Sequence, residues 1–198
     1  MFPRSVRATN SERTRQLPGD ERIPTPIGSL THAITIHTAR ENVWPWIVQM
    51  GAGSRAGWYS YDFLDNRHHR SADHIEPHLQ QVSVGTLFPA LPGRTDGFHV
   101  LEYEPERNLV LGWVNLPDRA PTVTWAFVLE EASEATTRLV TRARGGSDYR
   151  FHGLPAWMSS LVVRLVHFVM QRKQLLGIAH RAESRQAATH RGAGTEAA

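Results

Sequence analysis

Apolar and polar residues alternate in several short runs along the chain, a pattern that predicts a β-sheet. In the first run, Leu30–His37, Ile34 and Ile36 share one face. Five further runs are separated by turn-forming residues, and they are Val84–Phe88, Gly97–Tyr103, Leu109–Val114, Thr122–Glu130 and Thr137–Arg144. Their close spacing predicts an antiparallel meander.

The last two runs also predict which side chains share a face of the sheet. In Thr122–Glu130 one face takes Val123, Trp125, Phe127 and Leu129. In Thr137–Arg144 one face takes Leu139, Thr141 and Ala143, while the other takes Arg138, Val140, Arg142 and Arg144. The alternation therefore groups the arginines of the last run on one face, and it leaves open whether that face lines a pocket or meets solvent.

Helical spacing predicts three helices. The first begins at Thr38, which with Glu41 forms a predicted capping box, and it contains Pro45 in its early turns. The second spans Tyr59–Asn66, and an irregular connection, Arg67–Leu79, follows it.

The third helix runs from about Pro155 to about Glu183 and has a broad apolar face. Because only this helix is large enough to cover a sheet, the pattern predicts an α+β fold. Gly177 costs about 1 kcal/mol relative to alanine inside a helix, which suggests a close approach to the sheet or a kink.

The ends of the chain are poor in large apolar residues. We therefore expect a mobile N-terminal arm over residues 1–28, a domain over 29–183 and a disordered tail over 184–198. The whole formal charge of +3 lies in these ends, so the domain is near neutral and no nucleic-acid partner is predicted.

There is no cysteine. The absence of a signal-peptide pattern or an apolar run long enough to span a bilayer predicts a soluble, cytoplasmic protein with no stable membrane insertion.

Three segments resemble a known family. They are the aromatic stretch from Trp58 to Asn66, the short block Ser71-Ala72-Asp73-His74-Ile75, and the late helix from Phe168 to Glu183. Together they resemble a bacterial subgroup of the START-like superfamily, also called SRPBCC or polyketide cyclase/dehydrase-like. The resemblance covers roughly residues 30–183. It implies a helix-grip fold, in which a curved antiparallel sheet wraps a long C-terminal helix around an apolar cavity.

Within that fold, we expect aromatic side chains at the ligand site. The family's helices after the first strand close one end of the cavity, which makes Trp58, Tyr59 and Tyr61 candidate ligand contacts. The strand residues Phe98, Trp113 and Trp125 are further candidates, although ordinary core packing is the simpler interpretation of each. Arg142 would bind an anionic group if its face lined the cavity. Asp62 is interpreted as a structural hydrogen-bond acceptor.

Catalytic chemistry is weakly indicated. His167 lies beside the apolar side of the long helix, and its near-neutral pKa makes it a candidate acid or base, with Tyr59 and Tyr61 as alternatives. The loop histidines His68, His69, His74 and His78 lack the spacing of a metal site, so no metal is predicted. No phosphate-binding, dinucleotide or hydrolase motif occurs, and no cofactor is predicted.

Three functions remain open at this point. The first is binding of an apolar small molecule, such as a lipid, a polyketide-like compound, an isoprenoid or an aromatic metabolite, in the cavity. The second is a cyclase or dehydratase acting in the same cavity, which two convergent titratable groups would favour. The third is a protein-interaction module whose core is filled by tryptophan side chains. Whether the protein is an enzyme is not decided by the sequence.

Overall fold

The computed structural model describes residues 4–114, 121–146 and 167–185. In this part of the chain six antiparallel strands form one sheet, in the order β1-β6-β5-β4-β3-β2. The strands are β1 (Gly28–Ile36), β2 (Leu87–Pro89), β3 (Gly97–Glu104), β4 (Asn108–Val114), β5 (Pro121–Ser133) and β6 (Thr136–Gly145). All the predicted strands are confirmed, with small shifts at their ends. The predicted meander runs from β2 to β6, and β1 pairs with β6.

The helices are α1 (Asn10–Thr14), α2 (Arg40–Val48), α3 (Asp62–Asp65) and the helical residues 167–185, called α4 here. The predicted capping box at Thr38 is wrong, because Ala39 is the N-cap residue and no side chain caps α2. Thr38 is buried and has other partners: its hydroxyl accepts from the Asn42 side chain, and its carbonyl accepts from Thr137. The second helix is shorter than predicted because Tyr59 adopts a positive φ of 58°, which a right-handed helix does not allow.

The inner face of the sheet carries the main core. Ile34, Leu139, Phe127 and Leu109, from four adjacent strands, are all fully buried there. α4 packs over this face through its own fully buried residues, which are Leu175, Ile178, Ala179 and Ala182. This is the curved-sheet-and-helix arrangement that the resemblance implied. The first part of the predicted helix, residues 155–166, lies outside the described residues.

Gly177 marks the closest approach between α4 and the rest of the molecule. A Cβ atom built on Gly177 would lie 2.6 Å from the carbonyl oxygen of Tyr59 and 3.1 Å from its Cβ. Gly177 is therefore at a close approach, but the predicted partner is wrong: α4 meets the segment before α3 here and not the sheet. Glycine allows α4 to lie against this backbone, and this contact fixes how far α4 sinks towards the sheet.

The segment before β1 packs on the molecule, and the expectation that it lacks the means to bury surface is wrong. Ala8 and Leu17 are buried against Ala33, Val128 and Val140 on the outer face of the sheet. The capping box in this region lies at α1, where Thr9 and Glu12 exchange hydrogen bonds. The segment holds few apolar residues, but its carboxylates pair with arginines of β6.

The pairing of Glu12 with Arg138 is the clearest example. The Arg138 guanidinium donates to both carboxylate oxygens of Glu12, at 2.7 and 3.0 Å. This pairing with Arg138 is the main reason why the pKa of Glu12 falls to about 2. We use the name N-terminal strap for residues 4–27, since they cross the outer face and return to β1.

We expect Gly177→Ala to destabilise the protein by about 1–3 kcal/mol, because the added methyl group would overlap the Tyr59 backbone. In an unconstrained helix the same change stabilises by about 1 kcal/mol, so the sign of the effect is diagnostic. Chemical denaturation measures it. Lys173→Ala, at an exposed position of α4, serves as the control and should change the stability by less than about 0.5 kcal/mol. A stabilised Gly177→Ala variant would contradict the close packing.

We expect Glu12→Gln to lower the free energy of unfolding at pH 7 by about 2 kcal/mol, since it breaks a partly buried ion pair. The folded-state pKa of Glu12 lies below its ordinary value of 4.5, so this stabilisation is present above pH 4.5 and is lost as the pH falls towards 2. The wild-type and variant stabilities should therefore converge in acid. Glu134→Gln, in the exposed turn between β5 and β6, is the control. A constant difference from pH 7 to pH 2.5 would contradict the assignment.

Candidate functional site

Four aromatic side chains meet on the inner side of the sheet, and we call them the aromatic cluster: Trp58, Phe98, Trp113 and Trp125. The rings of Trp58 and Trp125 stack at 5.5 Å with an interplanar angle of 24°. Phe98 contacts all three tryptophans, at 5.4 to 6.1 Å between ring centroids. The structure therefore brings these four predicted residues together, one from the loop before α3 and three from β3, β4 and β5.

The cluster is held in place but is not fully covered. The indole N–H of Trp58 donates to the carbonyl of Ala90, and that of Trp125 donates to the side chain of Gln171 in α4. Trp58 is buried, whereas Phe98, Trp113 and Trp125 keep part of their surface accessible. Because the indole N–H of Trp125 is satisfied internally and Phe98 has no polar side-chain atom, the accessible surface of these two rings is apolar. Such a surface suits an apolar or aromatic molecule.

Two histidines lie beside the aromatic cluster. The ring centroids of His32 in β1 and His167 in α4 are 5.6 Å apart, and the His167 ring is 6.4 Å from that of Trp125. The Nδ1 atom of each ring is enclosed and has no hydrogen-bond partner among the described residues. The sequence prediction missed His32, although the signal was available: it follows the alternation that places Ile34 and Ile36 on the inner face.

The environment keeps both histidines neutral at pH 7. Burial, with a smaller contribution from the charge of Arg13, lowers the pKa of His32. Burial, with a smaller contribution from His32, lowers the pKa of His167 to about 4. A neutral imidazole has one N–H donor and one acceptor nitrogen. The pair can therefore donate to or accept from an uncharged polar group beside the cluster.

Tyr59 and Tyr61 lie elsewhere. Tyr59 is 2% exposed, and its hydroxyl accepts from Gln49 while the Arg181 guanidinium lies 4.6 Å above its ring. Burial raises the pKa of Tyr59, which makes it a poor acid. Tyr61 contacts Phe63, which is exposed, at 5.9 Å between ring centroids. Neither tyrosine makes a ring contact with the aromatic cluster in the described part of the chain.

Arg142 does not line the inner face, and its predicted contact with a ligand in the cavity is wrong. It lies on the outer face, where it is 4% exposed. Its guanidinium binds Asp20, the hydroxyl of Thr31 and backbone carbonyls of the N-terminal strap. The alternation along β6 grouped Arg142 with Arg138 and Arg144 but did not determine which face they occupy, and the strap that covers the outer face was not predicted.

The remaining polar residues of the aromatic segment mainly support the local structure. Asp62 accepts from both the backbone N–H and the hydroxyl of Ser71, at 3.1 and 2.6 Å, so its predicted role as a structural acceptor is confirmed. Asp65 is buried without a partner among the described residues. Burial, followed by the charge of Asp62, raises the pKa of Asp65 to about 6.

The loop histidines are not gathered around a common point. His74 and His78 both reach Glu76, while His68 and His69 are exposed. Across residues 4–114, 121–146 and 167–185, no three His, Cys, Asp or Glu side chains are placed to hold a metal ion. A search of the same residues finds no helix with the length and hydrophobicity needed to span a membrane.

The sequence matches no protein-family model and no curated protein. Similar solved structures exist. Protein MLL2253 from Mesorhizobium loti is 13% identical, with 79% of this chain and 98% of that chain covered at a TM-score of 0.50. The Polyketide_cyc-like protein Cgl2372 from Corynebacterium glutamicum is 16% identical, with 85% and 98% covered at a TM-score of 0.51. At these identities the likeness concerns the fold alone, and the chain has a helix-grip fold, in which a curved antiparallel sheet packs on a C-terminal helix.

We expect NMR titration of the histidine ring protons to give His167 a pKa near 4 and His32 a pKa below 6.5. His32→Gln removes a neighbouring charge, so the pKa of His167 should rise but stay below 6.5, because burial is the larger cause. As the folded-state pKa values are lowered, the two histidines destabilise the fold when the pH falls from 6.5 towards 4. The exposed His180 is the internal control. Titration of both buried rings near 6.5 would contradict this picture.

Proposed function

We propose that this protein binds an apolar or aromatic small molecule against the aromatic cluster on the inner side of the sheet. The observation that carries the proposal is the incomplete cover of Phe98, Trp113 and Trp125 on the face that otherwise forms the core. Large aromatic side chains on an inner face are ordinarily buried by their neighbours. Accessible surface at this place is what a ligand would cover.

The energetics are adequate for a specific small-molecule site. A ligand that covers about 200 Å² of apolar surface on each side gains roughly 10 kcal/mol at 25 cal/mol per Å², before the cost of association. After an association cost of at least about 4 kcal/mol, about 6 kcal/mol remains, which corresponds to an affinity of tens of micromolar. The tethered indoles of Trp58 and Trp125 lower the cost further, because their orientation is already fixed by hydrogen bonds.

A second candidate function is acid–base catalysis on the bound molecule. The adjacent rings of His32 and His167 favour it, because they bring two titratable groups beside the aromatic cluster. A neutral imidazole can remove a proton from a substrate carbon or hydroxyl, and the imidazolium so formed can return that proton to a carbonyl oxygen while the neighbouring neutral imidazole donates a hydrogen bond to the same oxygen. A cyclase or dehydratase needs few groups beyond such a pair. Burial lowers the pKa of His167 to about 4, which makes it a weak base and suits it to hydrogen bonding.

A ligand-free interaction module is the third candidate, and it fits the described residues less well. A core filled by tryptophan would cover the faces of Trp113 and Trp125. Instead, both side chains keep accessible surface. We therefore rank ligand binding first and catalysis on the bound ligand second.

We expect naphthalene and 2-naphthol to quench the tryptophan fluorescence of the full chain in a saturable manner. Trp113→Leu and Phe98→Leu each remove ring surface from the site and should weaken binding about fivefold or more. Tyr103→Leu is the control: Tyr103 is a partly exposed aromatic residue of β3 and makes no ring contact with the cluster. It should leave the affinity unchanged. Absence of saturable binding, or equal affinities in all three variants, would overturn the proposal.

A further inference from the structure

A second depression in the protein surface lies on the outer face, on the opposite side of the sheet from the aromatic cluster. It has a volume of about 460 Å³ and lies between the N-terminal strap and the adjoining strands β1 and β6. Its walls carry four arginines and two carboxylates, which are Arg13, Arg15, Arg142, Arg144, Asp20 and Glu21. The sequence prediction did not anticipate it, because residues 1–28 were expected to be a mobile arm. We call it the strap groove.

The floor of the strap groove has more cations than anions. Asp20 is the only carboxylate paired with Arg142 and Arg144 among the described residues: its two oxygens accept at 2.5 and 2.9 Å from these two guanidinium groups. The side chains of Arg142 and Asp20 are 4% and 8% exposed, and that of Arg144 is 15% exposed. A buried charge without a counter-charge is costly. Arg142, Arg144 and Asp20 together carry a net charge of one positive unit, which is available to attract an anion.

The rim adds further donors. Arg13 is exposed, and its guanidinium makes no hydrogen bond or ion pair with the described residues. Arg15 pairs with Glu130, and the Nε atoms of Arg15 and Arg144 are enclosed without a partner in the part of the chain that the structure describes. Glu21, the second carboxylate of the groove, pairs with Arg22 at 3.8 Å. The lining thus holds four guanidinium groups and two carboxylates.

We infer that the strap groove binds a small molecule through an oxyanion group, such as a phosphate ester or a carboxylate. Arg13 would donate to the oxyanion, because guanidinium N–H groups match its geometry and those of Arg13 are not engaged. Arg144 would contribute charge, because its terminal nitrogens already bind Asp20 and the carbonyl of Pro24. Arg142 would contribute charge but no new hydrogen bond, because its donors are already engaged by the strap. The volume of the groove admits an organic group attached to the oxyanion. The site is independent of the proposed ligand site on the inner face.

Bound anion would also hold the N-terminal strap on the sheet. Arg13 and Asp20 belong to the strap, whereas Arg142 and Arg144 belong to β6. An anion placed between these two groups links the strap to the strand, so binding and stability are coupled. Ligand binding should therefore raise the unfolding temperature, which gives the test a readout that needs no knowledge of the natural ligand.

The test is thermal unfolding and isothermal titration of the full chain with inorganic phosphate and with glycerol 3-phosphate, against potassium chloride at the same ionic strength. We expect both phosphate compounds to raise the unfolding temperature above the chloride control, with saturation. Tighter binding of glycerol 3-phosphate would indicate an organic phosphate as the ligand. Equal binding would indicate that the phosphate group alone is recognised.

Arg13→Gln is the deciding variant, because it removes an unengaged cation and should leave the fold intact. We expect it to weaken phosphate binding about threefold to tenfold. Arg144→Gln should weaken it at least as much, provided that its circular dichroism matches the wild type. Arg7→Gln is the matched control, since Arg7 is also an exposed arginine of the strap but does not line the groove. No stabilisation beyond chloride, or equal binding in Arg13→Gln and Arg7→Gln, would overturn the inference.

Discussion

Both faces of the sheet carry buried apolar residues, and each face therefore needs its own cover. α4 covers the inner face, and its depth is set where Gly177 meets the Tyr59 backbone. The N-terminal strap covers the outer face with few apolar residues, and its attachment depends on Glu12 and Asp20 as partners for the arginines of β6. The positions of both candidate sites follow from where these two covers lie. The aromatic cluster lies on the inner face beside α4, and the strap groove lies on the outer face along the N-terminal strap.

The inner cover is uneven. Around Leu139 and Leu109 the sheet is sealed by fully buried residues of α4. Around Trp125 the contact between helix and sheet includes polar groups, with Gln171 bonded to the indole and His167 beside the ring. A core built only for stability would have filled this region with aliphatic side chains. The change from aliphatic to aromatic and polar residues along one sheet face is the physical basis for the proposed ligand site.

Much of the fold could be predicted because strand alternation is local information. The runs around Ile34, Trp125 and Leu139 determined the strands and which residues share a face, including the arginines of β6. The strap could not be predicted, because its stability comes from ion pairs between residues more than a hundred positions apart. The sequence did not reveal that Tyr59 has a positive φ and that its side chain is buried in the core, away from the aromatic cluster. His32 was overlooked, although it alternates with Ile34 along β1. The grouping of Trp58 with the strand aromatics came from the family resemblance, not from the residue pattern.

The central claim is that the aromatic cluster encloses a small molecule, and native mass spectrometry of the full chain, purified without denaturation from its own host, tests it most directly. The account predicts an additional mass that persists in the native spectrum, leaves on denaturation and is lost or reduced in Trp113→Leu. The released compound should be apolar or aromatic. A native mass equal to the chain mass, together with no thermal stabilisation by a panel of lipids and aromatic compounds, would contradict the claim.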